Sequence, residues 1–173
     1  MQYSKKTGYI FVKTNPGYTK EVYDHFTKAD FVIGAWVVTG DYDIIAWVNA
    51  HNEDDLYKYA TTIRGWNGVE YTNSHYVHEG YVEDVNALRN TNGTWVRLRA
   101  DNMQDFPNYL REYPYVKAWA SMPGEYDYLV YTTGNTMHEA MENVLKMTHH
   151  RNWRTYTHVP LYAHWNTNWN ANL

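Results

Sequence analysis

Apolar residues recur along the chain in short runs of two different periods. Gly8 to Lys13 (GYIFVK) is rich in β-branched and aromatic residues and predicts a strand. After the turn Asn15-Pro16-Gly17, Tyr18, Val22 and Phe26 fall at helical spacing, so Tyr18 to Lys28 predicts a helix. Phe31 to Val38 is a near-continuous apolar run, and Gly40-Asp41 turns it back into Tyr42 to Val48, the pattern of a hairpin. Asn52-Glu53-Asp54-Asp55 places carboxylates where a helix dipole favours them and opens a helix to about Arg64, before Gly65. Val69 to Val77 closes the unit as a strand, giving the order βαββαβ.

The hairpin turn TGDYDIIAW, Thr39 to Trp47, returns as PGEYDYLVY, Pro123 to Tyr131. Ala35-Trp36 matches Ala118-Trp119 at an offset of 83, Gly40 with Tyr42-Asp43 matches Gly124 with Tyr126-Asp127 at 84, and Thr72 to His75 matches Thr155 to His158 at 83. This alignment implies one residue inserted near Met122-Pro123 and one lost later. The second copy predicts strand Thr94 to Arg99, helix Met103 to Tyr113, strands Val116 to Ser121 and Tyr126 to Thr132, helix Met137 to Thr148, and strand Trp153 to Leu161. The expected fold class is α+β, with two ferredoxin-like repeats over 1–78 and 94–165, a polar linker at 79–93 and a tail at 166–173. Each unit has both helices on one side of a four-stranded sheet. The bare apolar faces should pack sheet to sheet, as in a dimeric α/β-barrel within one chain, or onto other subunits.

Composition narrows the function classes. Of 173 residues, 44% are hydrophobic, enough for a core, and the apolar runs are too short to span a bilayer. MQYSKKTGY has no apolar signal-peptide segment, so a cytoplasmic protein without membrane contact is expected. Zero cysteines exclude disulfides and thiolate metal sites. The net charge of -4, with no run of Lys or Arg, argues against direct DNA binding, which needs a concentrated basic face. Aromatic residues reach 17%, with 18 Tyr and 8 Trp, which suits interfaces and ligand pockets as well as cores.

The apolar strand, the turn Thr39-Gly40-Asp41-Tyr42-Asp43, the second strand, the acid-capped helix, and Gly68-Val69 leading to Thr72 and Ser74 together resemble the effector-binding (RAM) domain of Lrp/AsnC regulators. The first copy fits well and the second more loosely. The first strand starts within about eight residues of Met1, so the expectation is a stand-alone effector protein without the family's helix-turn-helix. The resemblance implies a small-molecule effector, typically an amino acid, near the hairpin turns, and assembly as a homo-oligomer or with a related regulator. Gly40 permits close backbone approach, Asp41 and Asp43 suit an ammonium group, and Thr72 and Ser74 suit a carboxylate, with Tyr42 between them. In the second copy the equivalents are Gly124, Glu125, Tyr126 and Asp127, and Asn152-Trp153 replaces Gly68-Val69. The competing reading of the aspartates is structural, with Asp43 bonding backbone amides at the strand start.

Nine histidines without cysteine raise a metal or haem alternative, for which the equivalent His75 and His158 are the candidates. Period two puts His75 and His78 on opposite strand faces, and no H-x-H or H-E-x-x-H occurs. No resident cofactor is therefore expected, and no catalytic residue stands out. A haem- or metal-binding barrel enzyme, with Trp36, Trp119, His75 and His158 around a flat ligand, is the alternative, and an interaction module without an occupied pocket is a third reading.

Overall fold

The computed structural model describes residues 6–83, 92–100, 106–149 and 151–166. The first repeat runs β1 (Thr7–Thr14), α1 (Thr19–Phe26), β2 (Val32–Val38), β3 (Ile44–Asn49), α2 (Glu53–Arg64) and β4 (Val69–Tyr76), and β5 (Gly80–Val82) follows. The second runs β6 (Asn92–Arg99), α3 (Phe106–Arg111), β7 (Val116–Ser121), β8 (Tyr128–Gly134), α4 (Met137–Thr148) and β9 (Arg154–His158), then β10 (Pro160–Trp165). Local chemistry explains the helix starts. The Asn52 side chain accepts the Asp55 N–H at 2.9 Å at the head of α2. At α4 the Thr136 hydroxyl accepts the Glu139 N–H at 3.1 Å while Glu139 reaches back to the Asn135 N–H at 3.0 Å, a capping box.

Each sheet has five strands rather than four, in the orders β10-β2-β3-β1-β4 and β5-β7-β8-β6-β9, all pairs antiparallel. The extra strand comes from the segment that follows the other repeat. The expected linker therefore holds a strand at its start, its residues 84–91 lying outside those described, as do the predicted beginning of the second copy's first helix and nearly all of the tail. The single strand expected over Trp153 to Leu161 is two strands, parting at Val159. Among the described residues, compact units consequently divide the chain differently from the repeats, one comprising residues 6–77 with 160–166 and the other those between 78 and 159. Pro160 is tolerated because β10 is an edge strand.

In the first unit Ile10, Val12, Ala35, Val37, Ile44, Ala46 and Val48 form a core with Val22 and Phe26 of α1 and Leu56, Ala60 and Ile63 of α2. Alternate residues occupy the other sheet face, where Tyr9, Phe11, Trp36, Ile45 and Trp47 are also buried. In the second unit Leu98, Trp119 and Val130 pack with Phe106 and Leu110 of α3 and Met147 of α4.

Strand register corrects the sequence alignment. Trp36 lies opposite Ile45, whereas Trp119 lies opposite Val130, the counterpart of Ala46, whose own partner is Ala35. The offset over this hairpin is thus 84 throughout, and Met122 and Pro123 occupy the positions of Val38 and Thr39 with no insertion. One residue of shift reverses a side chain's face. Trp119 therefore belongs to the helix-side core, while Trp36 occupies the opposite face of its own sheet, so the two do not line equivalent places.

Candidate functional site

The first turn is held by its own residues. Gly40 takes φ +120°, open to glycine at little cost. Asp43 donates its N–H to Val12 at 2.9 Å, and its carboxylate Oδ2 accepts the Thr14 N–H at 2.9 Å and the Thr14 hydroxyl at 3.0 Å, with Lys13 Nζ at 3.4 Å. These contacts sit where the register of β1 shifts between Lys13 and Thr14, so the carboxylate staples the strand end. Tyr42 is buried, its ring 5.4 Å from Phe11 and 5.8 Å from Tyr71, and its hydroxyl accepts from Asn73 Nδ2 at 3.2 Å. Asp41 is exposed at the tip.

Thr72 and Ser74 do not join this group. They pair with Val12 and Ile10, which belong to the helix-side core, so they share that face of the sheet. The turn's tyrosine meets the intervening residues instead. Phe11 pairs with Asn73, and the His75 ring stands edge-on to Phe11 at 5.6 Å.

The second turn keeps the frame and loosens it. Gly124 takes φ +152°, Asp127 donates its N–H to Leu98 at 3.0 Å, and Oδ2 accepts the Ala100 N–H at 3.2 Å. Alanine in the place of Thr14 removes the hydroxyl donor. Beside the turn lies a pocket of about 430 Å³ lined by Arg99, Ala100, Ser121, Met122, Pro123, Asp127 and Tyr128. Burial, then the neighbouring carboxylates Asp127 and Glu79, push the Tyr128 phenol up, so it stays a neutral hydroxyl beside them. Glu125 is exposed at the tip.

Tyr126 belongs to another cluster. The Arg97 guanidinium lies 4.7 Å from the ring centres of both Tyr126 and Tyr156, and its Nε donates to His158 Nε2 at 3.0 Å. Arg97 is 5% exposed and His158 fully buried. The His158 carbonyl also accepts from the Thr94 hydroxyl at 2.8 Å. A ring nitrogen that accepts carries no proton, so His158 is the Nδ1–H tautomer. Pairing places Arg97 opposite Tyr156 as Phe11 is opposite Asn73. Sequence reasoning missed Arg97 and Arg99. The available signal was VRLR in a strand, with a charge at a position whose counterpart is phenylalanine, but β1 and β6 align at an offset of 86, outside the 83 and 84 found elsewhere.

His75 and His158 fall in different compact units. Among the described residues no three His, Asp or Glu side chains converge as a metal-binding group. Nor, among them, is any helix long and apolar enough to cross a membrane.

Two βαββαβ repeats, each feeding a five-stranded antiparallel sheet, define an α+β protein of the ferredoxin-like class. The chain is similar over 91% of its length to the siroheme decarboxylase NirDL, with 71% of that chain covered, 10% identity and a TM-score of 0.70. It is similar over 92% to a mutant chlorite dismutase from Candidatus Nitrospira defluvii, also 92% covered, with 10% identity and a TM-score of 0.56. These likenesses concern the fold. The protein FFRP-DM1 is 30% identical over 40% of this chain and 93% of its own, with a TM-score of 0.38. No curated protein matches the chain. Residues 7–87 match the family model of the Lrp/AsnC ligand binding domain, and over this segment the chain belongs to that family.

Proposed function

We propose that the protein is a small-molecule effector-binding regulator of the Lrp/AsnC kind, located in the cytoplasm and influencing transcription, and that its effector is an α-amino acid held at the second turn. The observation that carries this reading is the presence of Arg99 and Asp127, opposite in charge, in the wall of one pocket beside the Gly124 turn. A zwitterion presents both complementary charges on adjacent atoms. Asp127 commits one oxygen to Ala100 and retains lone pairs for an ammonium group, and a guanidinium suits a carboxylate. The Ser121 and Tyr128 hydroxyls supply further polar contacts in the wall. At the first turn, the Asp43 carboxylate already serves Thr14 and Lys13, which favours the second copy over the first.

The test is thermal stabilisation by α-amino acids, set against the corresponding amines lacking the carboxylate and acids lacking the amine. A ligand of the native state raises the melting temperature by mass action. Amino acids alone should stabilise, and Arg99→Gln should weaken them about tenfold or more, as expected for losing one charge-assisted hydrogen bond of ~1.5–3 kcal/mol. Equal stabilisation of the Arg99→Gln variant, or none by any amino acid, would sink the assignment.

A second reading, tetrapyrrole chemistry, is favoured by the buried Arg97–His158 pair together with a fold shared with NirDL, a siroheme decarboxylase. The residues do not fit axial ligation of iron, because His158 Nε2 already accepts from Arg97. They fit an anionic substituent at Arg97 better. A Soret shift on adding ferric porphyrin that disappears in Arg97→Met would favour this reading over the first.

A further inference from the structure

The strand β5, absent from the sequence expectation, builds a second pocket. Tyr81 and Glu83 from β5 and its end, Val116, Lys117 and Trp119 from β7, and Leu110, Arg111, Tyr113 and Pro114 from α3 and its exit enclose about 280 Å³. That is nearly twice the ~150 Å³ of an apolar cavity that holds benzene. Tyr81 lies opposite Trp119 in the ladder, so both rings share one face, and with Tyr113, Leu110, Val116 and Pro114 they make the walls apolar and aromatic. Burial, then the hydrogen bond with Tyr109, pushes the Tyr113 phenol up to about 12, which leaves the charge balance to three groups. Lys117 Nζ and Glu83 Oε2 meet at 2.6 Å and neutralise one another. Arg111 has a hydrogen bond from Nη1 to the uncharged Asn108 Oδ1 at 3.2 Å, so the described lining residues carry one cation in excess.

We propose that this pocket is a separate binding site for a small aromatic monocarboxylate, its ring against Tyr81, Tyr113 and Trp119 and its carboxylate toward Arg111. The ring supplies the apolar area that a concave aromatic site rewards, and a single negative charge balances the lining. This site is distinct from the one at Arg99 and Asp127, with which it shares no lining residue.

Calorimetric titration with phenylacetate, with 2-phenylethanol as the neutral ring and acetate as the bare anion, tests the assignment on the full chain. Phenylacetate should bind saturably and acetate should not. Arg111→Gln, an exposed change, should weaken phenylacetate about three- to tenfold and leave 2-phenylethanol unchanged, as expected for one partly solvated charge-assisted contact. Leu110→Trp fills the pocket and should abolish both, while Arg99→Gln should leave both intact. If Leu110→Trp loses its native circular dichroism, Val116→Phe replaces it as the filling variant. No saturable binding, binding unaffected by the filled pocket, or loss of binding in Arg99→Gln would each overturn the proposal.

Discussion

Asp43 and Asp127 stand at the same turn position and differ in the number of donors they satisfy. Asp43 takes a backbone N–H and a hydroxyl from Thr14 with Lys13 beside it, whereas Asp127 takes one N–H at 3.2 Å. Asp43→Ala should therefore lower stability by ~3 kcal/mol and Asp127→Ala by ~1.5 kcal/mol, the two ends of the range for hydrogen bonds to charged groups. Urea unfolding of the two variants checks the order, and equality would show that the Thr14 hydroxyl contributes nothing. His164 on β10 gives a pH prediction. Burial pushes its imidazole below the ordinary histidine value of 6.5, so the unfolded chain binds the proton more readily. Its contribution to stability is whole above the unfolded value and is lost as pH falls through the lowered folded one. Between about pH 7.5 and pH 5.5 the melting temperature should fall more steeply in the native protein than in His164→Gln.

Among the elements, the join between α1 and β4 depends on one glycine. Gly68 holds φ +87°, its carbonyl accepts the Asn15 N–H at 2.7 Å, and an added Cβ would collide with the Tyr18 side chain. Gly68→Ala should cost about 2–4 kcal/mol, combining left-handed strain with overpacking, and Gly17→Ala, where nothing lies within 4 Å, should cost only the strain. Thermal unfolding of both variants separates the two terms. The elements themselves were legible because their signals are local: Asn52 with three acids behind it, Thr136 three residues before Glu139, glycine at each hairpin turn. Faces were less legible. Ala35-Trp36 and Ala118-Trp119 read as equivalents, yet Trp119 packs in the helix-side core and lines the β5 pocket, because ladder register and not dipeptide identity sets orientation. The family resemblance implies Thr72 and Ser74 beside the turn, whereas pairing with Val12 and Ile10 turns them to the other side.

For the whole molecule, the exchange of edge strands is the feature with the largest consequence. β2 is buried along its full length and β10 covers its edge, so ending the chain after Val159 would expose an apolar strand with open hydrogen-bonding groups. Such a truncation should aggregate, or melt lower by roughly 10 °C if ~3 kcal/mol is lost, which size-exclusion chromatography and a thermal scan would report. Unchanged behaviour would mean that β2 needs no partner. By itself the sequence determined the two repeats, their order of strands and helices, the turn positions and the kinship with Lrp/AsnC effector domains, because period, capping and turn chemistry are written in neighbouring residues. Only the tertiary structure decided that each sheet takes its fifth strand from the segment after the other repeat. It also decided that Asp43 is engaged while Asp127 faces a pocket with Arg99, and that Arg97 is buried against His158. Each of these depends on which backbone groups pair across long separations in the chain, and a residue's neighbours in sequence do not specify that pairing.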